Sequence, residues 1–284
     1  MTLRALLDHA VAVLTAAGVP SPEADAELLV GHVLGLSRGQ VQAQAITGTP
    51  LDAEQRLAVL ELVERRAARE PLQHLTGRAA FRSLDLAVGP GVFVPRPETE
   101  VVAQLAIDAL LAVPGGSPRA ADLGTGSGAI ALALATEVPH AEVHAVENSP
   151  RAFIWARENA RAVGADNLRL VFIDLADALP ELDGTLDVVV SNPPYIPLGA
   201  IPRDPEVRLH DPEVALYGGA DGLDVVRAVS TAARRLLRPG GVLVLEHGDE
   251  QGEEIRRLLS ADGWSAPATT RDLTGRDRAT TALR

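Results

Sequence analysis

The first 70 residues have the spacing of apolar and polar positions that is typical of α-helices. In the first segment, apolar residues recur every three or four positions: Leu3, Leu6, Leu7, Ala10, Val13 and Leu14. Ser21-Pro22-Glu23 then has the residues of a helix start, with a capping Ser, Pro in the first helical position and an acid in the first turn. A further helix is predicted from near Asp52 to the Arg-rich stretch 64–69, where cations suit the negative end of the helix dipole. The pattern predicts a small helical domain over residues 1–70.

Residues 71–95 have a different pattern. Short apolar runs alternate with Gly77, with Gly89-Pro90-Gly91 and with Pro95, which favours a β-hairpin linker. Pro97-Glu98-Thr99-Glu100 then has the proline and the acids that open a helix.

From residue 120 onward, predicted strands and helices alternate. The predicted strands are 120–123, 143–146, 168–173, 186–190 and 242–246, and the final Thr-Thr-Ala-Leu is a candidate for one more. The predicted helices are 129–136, 150–163, 223–237 and 251–261. This alternation predicts an α/β domain over residues 96–284, with a mainly parallel sheet.

The strand at 186–190 ends in an unusual way, in the sequence Ser191-Asn192-Pro193-Pro194-Tyr195. Two adjacent prolines cannot continue a sheet, because neither has the N–H that a ladder needs. The strand must therefore end in a stiff turn that carries an amide, carbonyl groups and an aromatic ring. Asn and Pro are also ordinary turn formers, so the turn by itself does not establish a site.

The composition is that of a globular protein with 46% hydrophobic residues, a net charge of −12 and no cysteine. The lack of cysteine excludes disulfides and thiolate chemistry. The acidic excess is larger after residue 85, which disfavours nucleic acid as a partner. No apolar window reaches the length of a membrane span, the N-terminus does not resemble a signal peptide, and the seven His form no ligand cluster. We therefore expect a cytoplasmic protein without a metal and without a membrane partner.

A glycine-rich turn follows the first predicted strand of the α/β domain and precedes a helix. Glycines in such a turn let the backbone approach a ligand, and the helix N-terminus favours negative charge. The next strand ends at Glu147, where an acid can accept hydrogen bonds from ribose hydroxyls. The turn consists of Asp122-Leu123-Gly124-Thr125-Gly126-Ser127-Gly128.

The same residues also fit a dinucleotide-binding fingerprint, with Ala129 in the last place. NAD is therefore a competing ligand. Against it, that fold places its glycine-rich turn in the first unit of the domain. The chain also has no Lys and no evident hydride-transfer site.

The glycine-rich turn followed by Glu147 resembles the corresponding motif of class I S-adenosylmethionine-dependent methyltransferases, which have a Rossmann-like sheet. Asn192-Pro193-Pro194-Tyr195 resembles the motif of those members that methylate planar nitrogens. Within this group, the chain is similar to the release factor glutamine methyltransferases. The blocks that carry the similarity are FVPRPETE (93–100), DLGTGSGAIALALA (122–135), SNPPYIP (191–197), DPEVALYGGADGL (211–223), RPGGVLVLEHG (238–248) and RDLTGRDRAT (271–280).

The resemblance implies methyl transfer from S-adenosylmethionine to the side-chain amide of the Gln in the Gly-Gly-Gln motif of peptide chain release factors, with residues 1–70 docking the substrate. It implies cofactor contacts at Gly124, Thr125, Gly126, Ser127, Gly128, Glu147, Asp174, Leu175 and Asn192. It implies catalytic and substrate-binding roles for Asn192, Pro193, Pro194 and Tyr195. The family often has an aromatic residue at the position of Leu175, so this contact departs from its pattern.

The chemistry of an amide explains these catalytic assignments. Its nitrogen is a poor nucleophile because the lone pair is delocalised into the carbonyl. Acceptors on both N–H groups, which we expect to be Asn192 Oδ1 and the Pro193 carbonyl, can aim the lone pair at the methyl carbon. Tyr195 can pack against the planar group and exclude water.

We expect Phe93 and residues 96–100 to cover the site, and for Arg96 a structural ion pair remains an equal alternative. For His247, which follows Glu246 at a strand end, a structural hydrogen bond is favoured over catalysis.

Two other functions remain as alternatives. One is an amino-group methyltransferase for adenine or guanine, since a flipped base also presents a planar nitrogen. The other is a nucleotide-binding module or NAD oxidoreductase.

Overall fold

The computed structural model describes residues 2–284. These residues form two compact units. One consists of the residues up to Arg78 together with the segment Pro202–His210, and the other of Ala79–Ile201 and Asp211–Arg284. None of the helices among the described residues has the length and apolar character needed to cross a membrane.

The helices and strands follow the predicted order closely. The helices are α1 (Leu3–Ala16), α2 (Pro22–Leu34), α3 (Arg38–Thr47), α4 (Ala53–Ala67), α5 (Leu72–Thr76), α6 (Thr99–Leu111), α7 (Ala129–Glu137), α8 (Pro150–Val163), α9 (Pro205–His210), α10 (Asp224–Leu236) and α11 (Gly252–Ala261). The strands are β1 (Arg78–Phe81), β2 (Leu84–Ala87), β3 (Arg119–Leu123), β4 (Glu142–Glu147), β5 (Leu168–Phe172), β6 (Leu186–Ser191), β7 (Leu237–Glu246), β8 (Ser265–Arg271) and β9 (Asp277–Leu283).

The first unit is a helical bundle whose helix starts are set by local sequence. Ser37 and Asp52 form capping boxes with Gln40 and Gln55, which satisfy free backbone N–H groups at the starts of α3 and α4. Ser21 occupies the N-cap position of α2, but its side chain makes no cap hydrogen bond, contrary to expectation. The apolar faces of α1, α2, α3 and α4 meet in one core, where Leu3, Leu6 and Leu29 are fully buried.

A buried group of charges joins the segment Pro202–His210 to the helices of this unit. Arg66 contacts Asp25 and Glu206, each at 2.7 Å between nitrogen and oxygen, and all three residues are buried. Arg69 reaches the second oxygen of Glu206 at 2.5 Å. Burial raises the pKa of Glu206, but hydrogen bonds with Asp204, Arg69 and Arg66 together lower it to about 2.

The second unit contains a seven-stranded sheet in the order β5-β4-β3-β6-β7-β9-β8. In this order, every neighbouring pair in the run β5-β4-β3-β6-β7 is parallel. The strand β9 is antiparallel to both of its neighbours, β7 and β8. This confirms the predicted α/β class and its mainly parallel, Rossmann-like sheet. The final Thr-Thr-Ala-Leu lies in β9 as expected, and β8 is a strand that the sequence pattern did not predict.

Helices cover both faces of the sheet because alternate strand residues point to opposite sides. Ala120, Val188 and Val190 belong to the core under α6 and α7. Ala121 and Val189 belong to the core under α10 and α11. Buried parallel strands with apolar residues on both faces are typical of doubly wound folds.

The buried charge group predicts a measurable loss of stability in a variant. We expect Glu206→Gln to lower the free energy of unfolding by about 3 kcal/mol at pH 7, because it leaves the buried Arg66 with one carboxylate instead of two. Urea unfolding measures this loss, and hydrogen exchange in α2 and α4 locates it. Because the folded pKa of Glu206 is lowered, its contribution is complete above its unfolded pKa and is lost as the pH falls toward 2.

Glu253→Gln is the matched control, since Glu253 forms an exposed i,i+4 pair with Arg257. Exposed pairs contribute roughly 0–1 kcal/mol. An equal loss in the two variants would contradict a special role for the buried group.

Candidate active site

The predicted site residues lie at one edge of the sheet because parallel strands end on the same side. The strand order reverses between the neighbours β3 and β6: β4 and β5 continue outward from β3, and β7 continues outward from β6. In open α/β sheets, the crevice at such a switch point is where ligands bind.

The glycine-rich turn after β3 is held open by its backbone conformation. Gly124, Gly126 and Gly128 have φ of 78°, 61° and 86°, in the left-handed region that favours glycine. The N–H groups of Gly124 and Thr125 both donate to the Val146 carbonyl at 2.9 Å, which ties the turn to the end of β4. No heavy atom lies within 4 Å of where a Cβ on Gly124 or Gly126 would stand, so this part of the turn faces open space.

Asp122 is a buried carboxyl beneath this turn. Its Oδ2 accepts hydrogen bonds from Thr125 Oγ1 at 2.6 Å and from the Ala131 N–H at 3.1 Å. Its Oδ1 is buried and has no hydrogen-bond partner among the described residues. Burial raises the pKa of Asp122 to about 7, although the two hydrogen bonds oppose the rise. Together the two bonds tie the turn to the start of α7.

Glu147 ends β4 directly beside the same turn. Its carboxylate accepts from the Gly126 N–H at 2.8 Å and from the N–H groups of Asn148 and Ser149 at 3.0 and 2.8 Å. Burial nevertheless raises its pKa, and its charge in turn contributes to the raised pKa of Asp122. The two acids thus form a buried acidic pair under the glycine-rich turn.

Asp174 follows the end of β5 and connects to the same edge. Its Oδ2 accepts from Asn148 Nδ2 at 2.9 Å and its Oδ1 from the Ala176 N–H at 3.0 Å, and these bonds lower its pKa. The side chain is exposed, and Leu175 begins a short 3-10 helix, Leu175–Asp177. Hydrogen bonds therefore run from Asp174 through Asn148 and Glu147 to Gly126.

The turn after β6 is fixed to the glycine-rich turn by one buried contact. Ser191 Oγ donates to the Leu123 carbonyl at 2.6 Å, and both residues are fully buried. Asn192 therefore leaves the sheet next to Gly124. Pro193 is buried, and no backbone N–H of residues 2–284 donates to its carbonyl. The double proline thus ends the strand as predicted.

The segment Leu216–Gly222 holds the other end of this turn. Ile196 donates to Leu216 O and accepts from Gly218 N, both at 2.9 Å. A Cβ on Gly218 would stand 2.4 Å from the Pro194 carbonyl oxygen, and one on Gly222 would stand 2.4 Å from that of Tyr195. Only glycine lets these backbones come so close.

The Asn192 side chain lies near a third buried acid, Glu246. Its Nδ2 donates to Thr99 Oγ1 at 3.5 Å, and both side chains form hydrogen bonds that lower the pKa of Glu246. Glu246 is only 1% exposed, and burial raises its pKa to about 7 against these bonds. Burial and the charge of Glu246 also raise the pKa of Tyr195, which therefore stays protonated at neutral pH.

Two open assignments have structural answers. Arg96 forms an ion pair with the buried Asp211 at 2.7 Å, and its guanidinium lies 5.1 Å from the centre of the Phe93 ring. His247 is fully buried, with Nδ1 2.8 Å from the Gly248 carbonyl and Nε2 2.9 Å from Thr280 Oγ1. A carbonyl only accepts, so Nδ1 carries the proton. His247 joins β7 to β9, which is a structural role.

Sequence reasoning placed Asp122 in the glycine-rich turn and Thr99 in a segment over the site, but it gave neither a contact of its own. It missed Gly218 and Glu246 as parts of this edge. Glu246 had a signal, because it ends a buried strand as Glu147 does. Gly218 had no such signal. Position 218 requires glycine because it packs against a backbone segment that lies more than 20 residues away in the chain.

The close packing at Gly218 predicts that a single methyl group loosens the turn. We expect Gly218→Ala to lower the free energy of unfolding by about 1–3 kcal/mol, as overpacking does, and to speed hydrogen exchange at residues 195–198. Calorimetry and hydrogen exchange with mass spectrometry measure the two effects. Gly116→Ala is the control, because nothing lies within 4 Å of its Cβ position. Unchanged exchange at 195–198 in Gly218→Ala would contradict the close contact.

Comparisons with known proteins agree with this arrangement. Residues 5–77 match the family model "PrmC N-terminal domain", and residues 83–200 match "Methyltransferase small domain". The release factor glutamine methyltransferase of Streptomyces coelicolor is 52% identical over 95% of this chain and 93% of its own length. A Streptomyces pristinaespiralis relative, named 4-amino-L-phenylalanine/4-methylamino-L-phenylalanine methyltransferase, is 41% identical over 100% of this chain and 95% of its own.

Among solved structures, the chain resembles the T. thermophilus 16S rRNA N2 G1207 methyltransferase in complex with AdoMet and guanosine. That likeness has a TM-score of 0.52 and 24% identity, and it covers 73% of this chain and 49% of the other. It supports the fold alone. The two family models and the close full-length relatives place the chain more narrowly: it is a methyltransferase, and it belongs to the family of release factor glutamine methyltransferases.

Proposed function

We propose that this protein transfers a methyl group from S-adenosylmethionine to the side-chain amide nitrogen of the Gln in the Gly-Gly-Gln motif of peptide chain release factors. The observation that carries the proposal is the buried bond from Ser191 to Leu123, which sets the Asn192-Pro193 corner beside the glycine-rich turn. Full-length relatives named release factor glutamine methyltransferase support the choice of substrate.

The glycine-rich turn has features that suit this cofactor. Open space beside Gly124 and Gly126 leaves room for a ligand against the backbone. Asp122 and Glu147 form a buried acidic pair, and Asp122 Oδ1 has no partner among the described residues, so a cation is favoured here. S-adenosylmethionine carries an ammonium and a sulfonium group, and the T. thermophilus enzyme in complex with AdoMet has a similar fold.

We assign the cofactor contacts by position along the edge of the sheet. The turn Gly124 to Gly128, which includes Thr125 and Ser127, would hold the methionine part. Glu147 would accept hydrogen bonds from ribose hydroxyls, since a carboxylate has about four acceptor sites and backbone groups take three of them. Asp174 and Leu175 would contact the adenine. Asn192 would touch cofactor and substrate.

When bound, S-adenosylmethionine supplies an electrophilic methyl carbon on a positively charged sulfur. The residues of this chain hold the nucleophile. Asn192 Oδ1 and the Pro193 carbonyl accept hydrogen bonds from the two N–H groups of the glutamine amide. This would turn the nitrogen lone pair toward the methyl group that the cofactor supplies, because such a transfer needs its reacting atoms in close, aligned contact. The same acceptors would stabilise the positive charge that develops on nitrogen. As the N–C bond forms, the bond between sulfur and methyl breaks and its electron pair stays on sulfur, and the nitrogen loses one of its two protons to water.

Pro194 and Tyr195 also help to hold the substrate amide. Pro194 keeps the corner stiff because its φ is fixed and it has no N–H to donate. The Tyr195 ring packs against the planar amide and excludes water. Its hydroxyl remains protonated because its pKa is raised, so the ring presents no charge to the reacting nitrogen.

A second candidate is methylation of an aromatic amine. The S. pristinaespiralis relative, which is named for such a substrate, covers the whole chain at 41% identity. An aromatic amine is also planar and offers N–H groups to the same acceptors. Methylation of a base in nucleic acid is the third candidate, and the net charge of −12 disfavours it.

One experiment separates these candidates. Purified enzyme is incubated with S-adenosylmethionine and, in separate reactions, a release factor, 4-amino-L-phenylalanine, or duplex DNA and RNA. Mass spectrometry then locates any added methyl group. We expect one methyl on the Gln of the Gly-Gly-Gln motif and none elsewhere. Methylation of only the aromatic amine or the nucleic acid would overturn the proposal.

Asn192→Ala tests the acceptor role. We expect kcat to fall by about 10²–10³, the usual cost of losing one preorganised hydrogen-bonding group. The affinity for S-adenosylmethionine, measured by calorimetry, is expected to stay within about threefold, because the glycine-rich turn and Glu147 are intact. A kcat near that of the wild type would refute the role of Asn192.

The proposed docking role of residues 1–70 predicts an effect that depends on substrate size. Ile46 in α3 and Leu57 in α4 are large apolar side chains that are 84% and 63% exposed, so both are accessible to a partner. We expect Ile46→Asp and Leu57→Asp to raise the KM for a whole release factor by about tenfold, equal to about 1.4 kcal/mol. The KM for a short Gly-Gly-Gln peptide should not change. Equal effects on both substrates would contradict docking through these side chains.

A further inference from the structure

The buried carboxyl group of Glu246 destabilises the fold, and it contacts neither the proposed cofactor nor the proposed substrate. It ends β7, is 1% exposed, and its Oε2 has no hydrogen-bond partner among the described residues. An unsatisfied buried acceptor costs about 1–3 kcal/mol, and more when it is charged. Such groups in native structures call for an explanation.

The neighbours of Glu246 indicate what it acts on. Ser191 pairs with Leu245 in the register of β6 and β7, so the residues that follow them, Asn192 and Glu246, are neighbours at this edge. Hydrogen bonding by Asn192 and by Thr99, at the start of α6, lowers the pKa of Glu246. Asn192 Nδ2 also donates to Thr99 Oγ1 at 3.5 Å. The Thr99 hydroxyl can accept from Asn192 and donate to Glu246 at the same time, since it has one donor and two lone pairs. The three groups thus form a relay of hydrogen bonds.

This relay fixes which end of the Asn192 carboxamide points outward. An ionised carboxylate only accepts hydrogen bonds, so it attracts the NH2 end of the amide and repels the oxygen end. A flipped amide would place Oδ1 against the carboxylate, and the Thr99 hydroxyl could then bond Asn192 only by giving up its donation to Glu246. The amide therefore presents its oxygen on the side away from Glu246.

We propose that Glu246 is a positioning residue which, through Thr99 and directly, holds the NH2 end of the Asn192 carboxamide so that its oxygen faces the substrate nitrogen. The inference rests on the proposed function and deepens it, because the acceptor at Asn192 is the group that aims the substrate amide. Glu246 itself touches neither the substrate nor the methyl group. If the Asn192 amide were turned, its NH2 group would face the N–H of the substrate. Two donors cannot form a hydrogen bond, so the substrate amide would not be held.

Other charges around Glu246 set the pH at which it works. Arg278 on β9 lowers its pKa and Glu98 raises it, and Tyr195 lies close enough for its own pKa to rise. Arg96 also acts on Tyr195. Burial is the largest effect and brings the pKa of Glu246 to about 7. Because only the ionised form is a pure acceptor, the hold on Asn192 weakens as the pH falls below 7.

The test compares Glu246→Gln and Thr99→Val with the wild type. Gln donates as well as accepts, so it tolerates either orientation of the Asn192 amide, and Val removes the hydroxyl without changing the shape. We expect kcat for the peptide to fall about 10- to 100-fold in each variant, as misplacement of a reacting group does, with KM within about threefold. Thr99→Ser, which restores the hydroxyl, should recover most of kcat.

The pH profile adds a readout that a purely structural role would not move. The kcat of the wild type should rise as the pH increases through about 7, and Glu246→Gln should lose this rise. Asp122, whose pKa is also about 7, remains in both proteins and so cannot explain the difference.

A spectroscopic measurement separates this inference from the proposed function. In ¹⁵N-labelled protein, the side-chain NH2 signal of Asn192 is assigned by its loss in Asn192→Ala. We expect it to shift between pH 6 and 8 in the wild type and not in Glu246→Gln. This readout needs no substrate. If the shift occurs but the wild type does not methylate a release factor, the proposed function fails and the contact stands.

Asp187→Asn is the matched control for loss of a buried carboxylate at the start of β6, where Asp187 accepts from Arg238 Nε and from the Arg119 N–H. It should lower the melting temperature without changing kcat. Two results would overturn the inference. One is a wild-type-like kcat in both Glu246→Gln and Thr99→Val. The other is an Asn192 NH2 signal whose pH-dependent shift is the same in Glu246→Gln as in the wild type.

Discussion

The site depends on one constraint, the reversal of strand order between β3 and β6 in a parallel sheet. Parallel pairing places the carboxyl ends of both strands at the same edge, and the reversal opens a crevice between the segments that follow them. A 2.6 Å hydrogen bond from Ser191 to the Leu123 carbonyl joins the ends of these two strands. It sets the glycine-rich turn and the prolyl corner side by side, although 68 residues separate them in the chain.

Around this crevice the fold keeps three acids in buried positions. Asp122, Glu147 and Glu246 are buried, and burial raises the pKa of each. A buried carboxyl with an unused oxygen costs free energy that an apolar residue would not. Strained or costly polar groups tend to collect at functional sites. The two clusters flank the crevice, one under the glycine-rich turn and one behind Asn192.

Much of the fold could be predicted from local sequence. The strands β3 to β7 and the helices α1, α2 and α4 follow from apolar periodicity, capping residues and the placement of Pro and Gly. The glycine-rich turn and Asn192 could also be found, because a strand, a turn and a helix in succession are all local features. The short helices α5 and α9 and the strand β8 were missed. The Pro205–His210 helix has only six residues, and it packs with the helical unit through a glutamate that bonds Arg66 and Arg69.

By itself the sequence determined the α/β class, the order of the elements and the chemical types at the strand ends, because propensity, turn chemistry and periodicity act over a few residues. The tertiary structure alone decided which of these residues meet. It paired Arg66 with Glu206, brought Gly218 against the Pro194 carbonyl, and set Glu246 and Thr99 behind Asn192. Such contacts join positions up to 147 residues apart, as for Thr99 and Glu246, and their energies depend on burial and distance. Those two quantities exist only once the chain has folded.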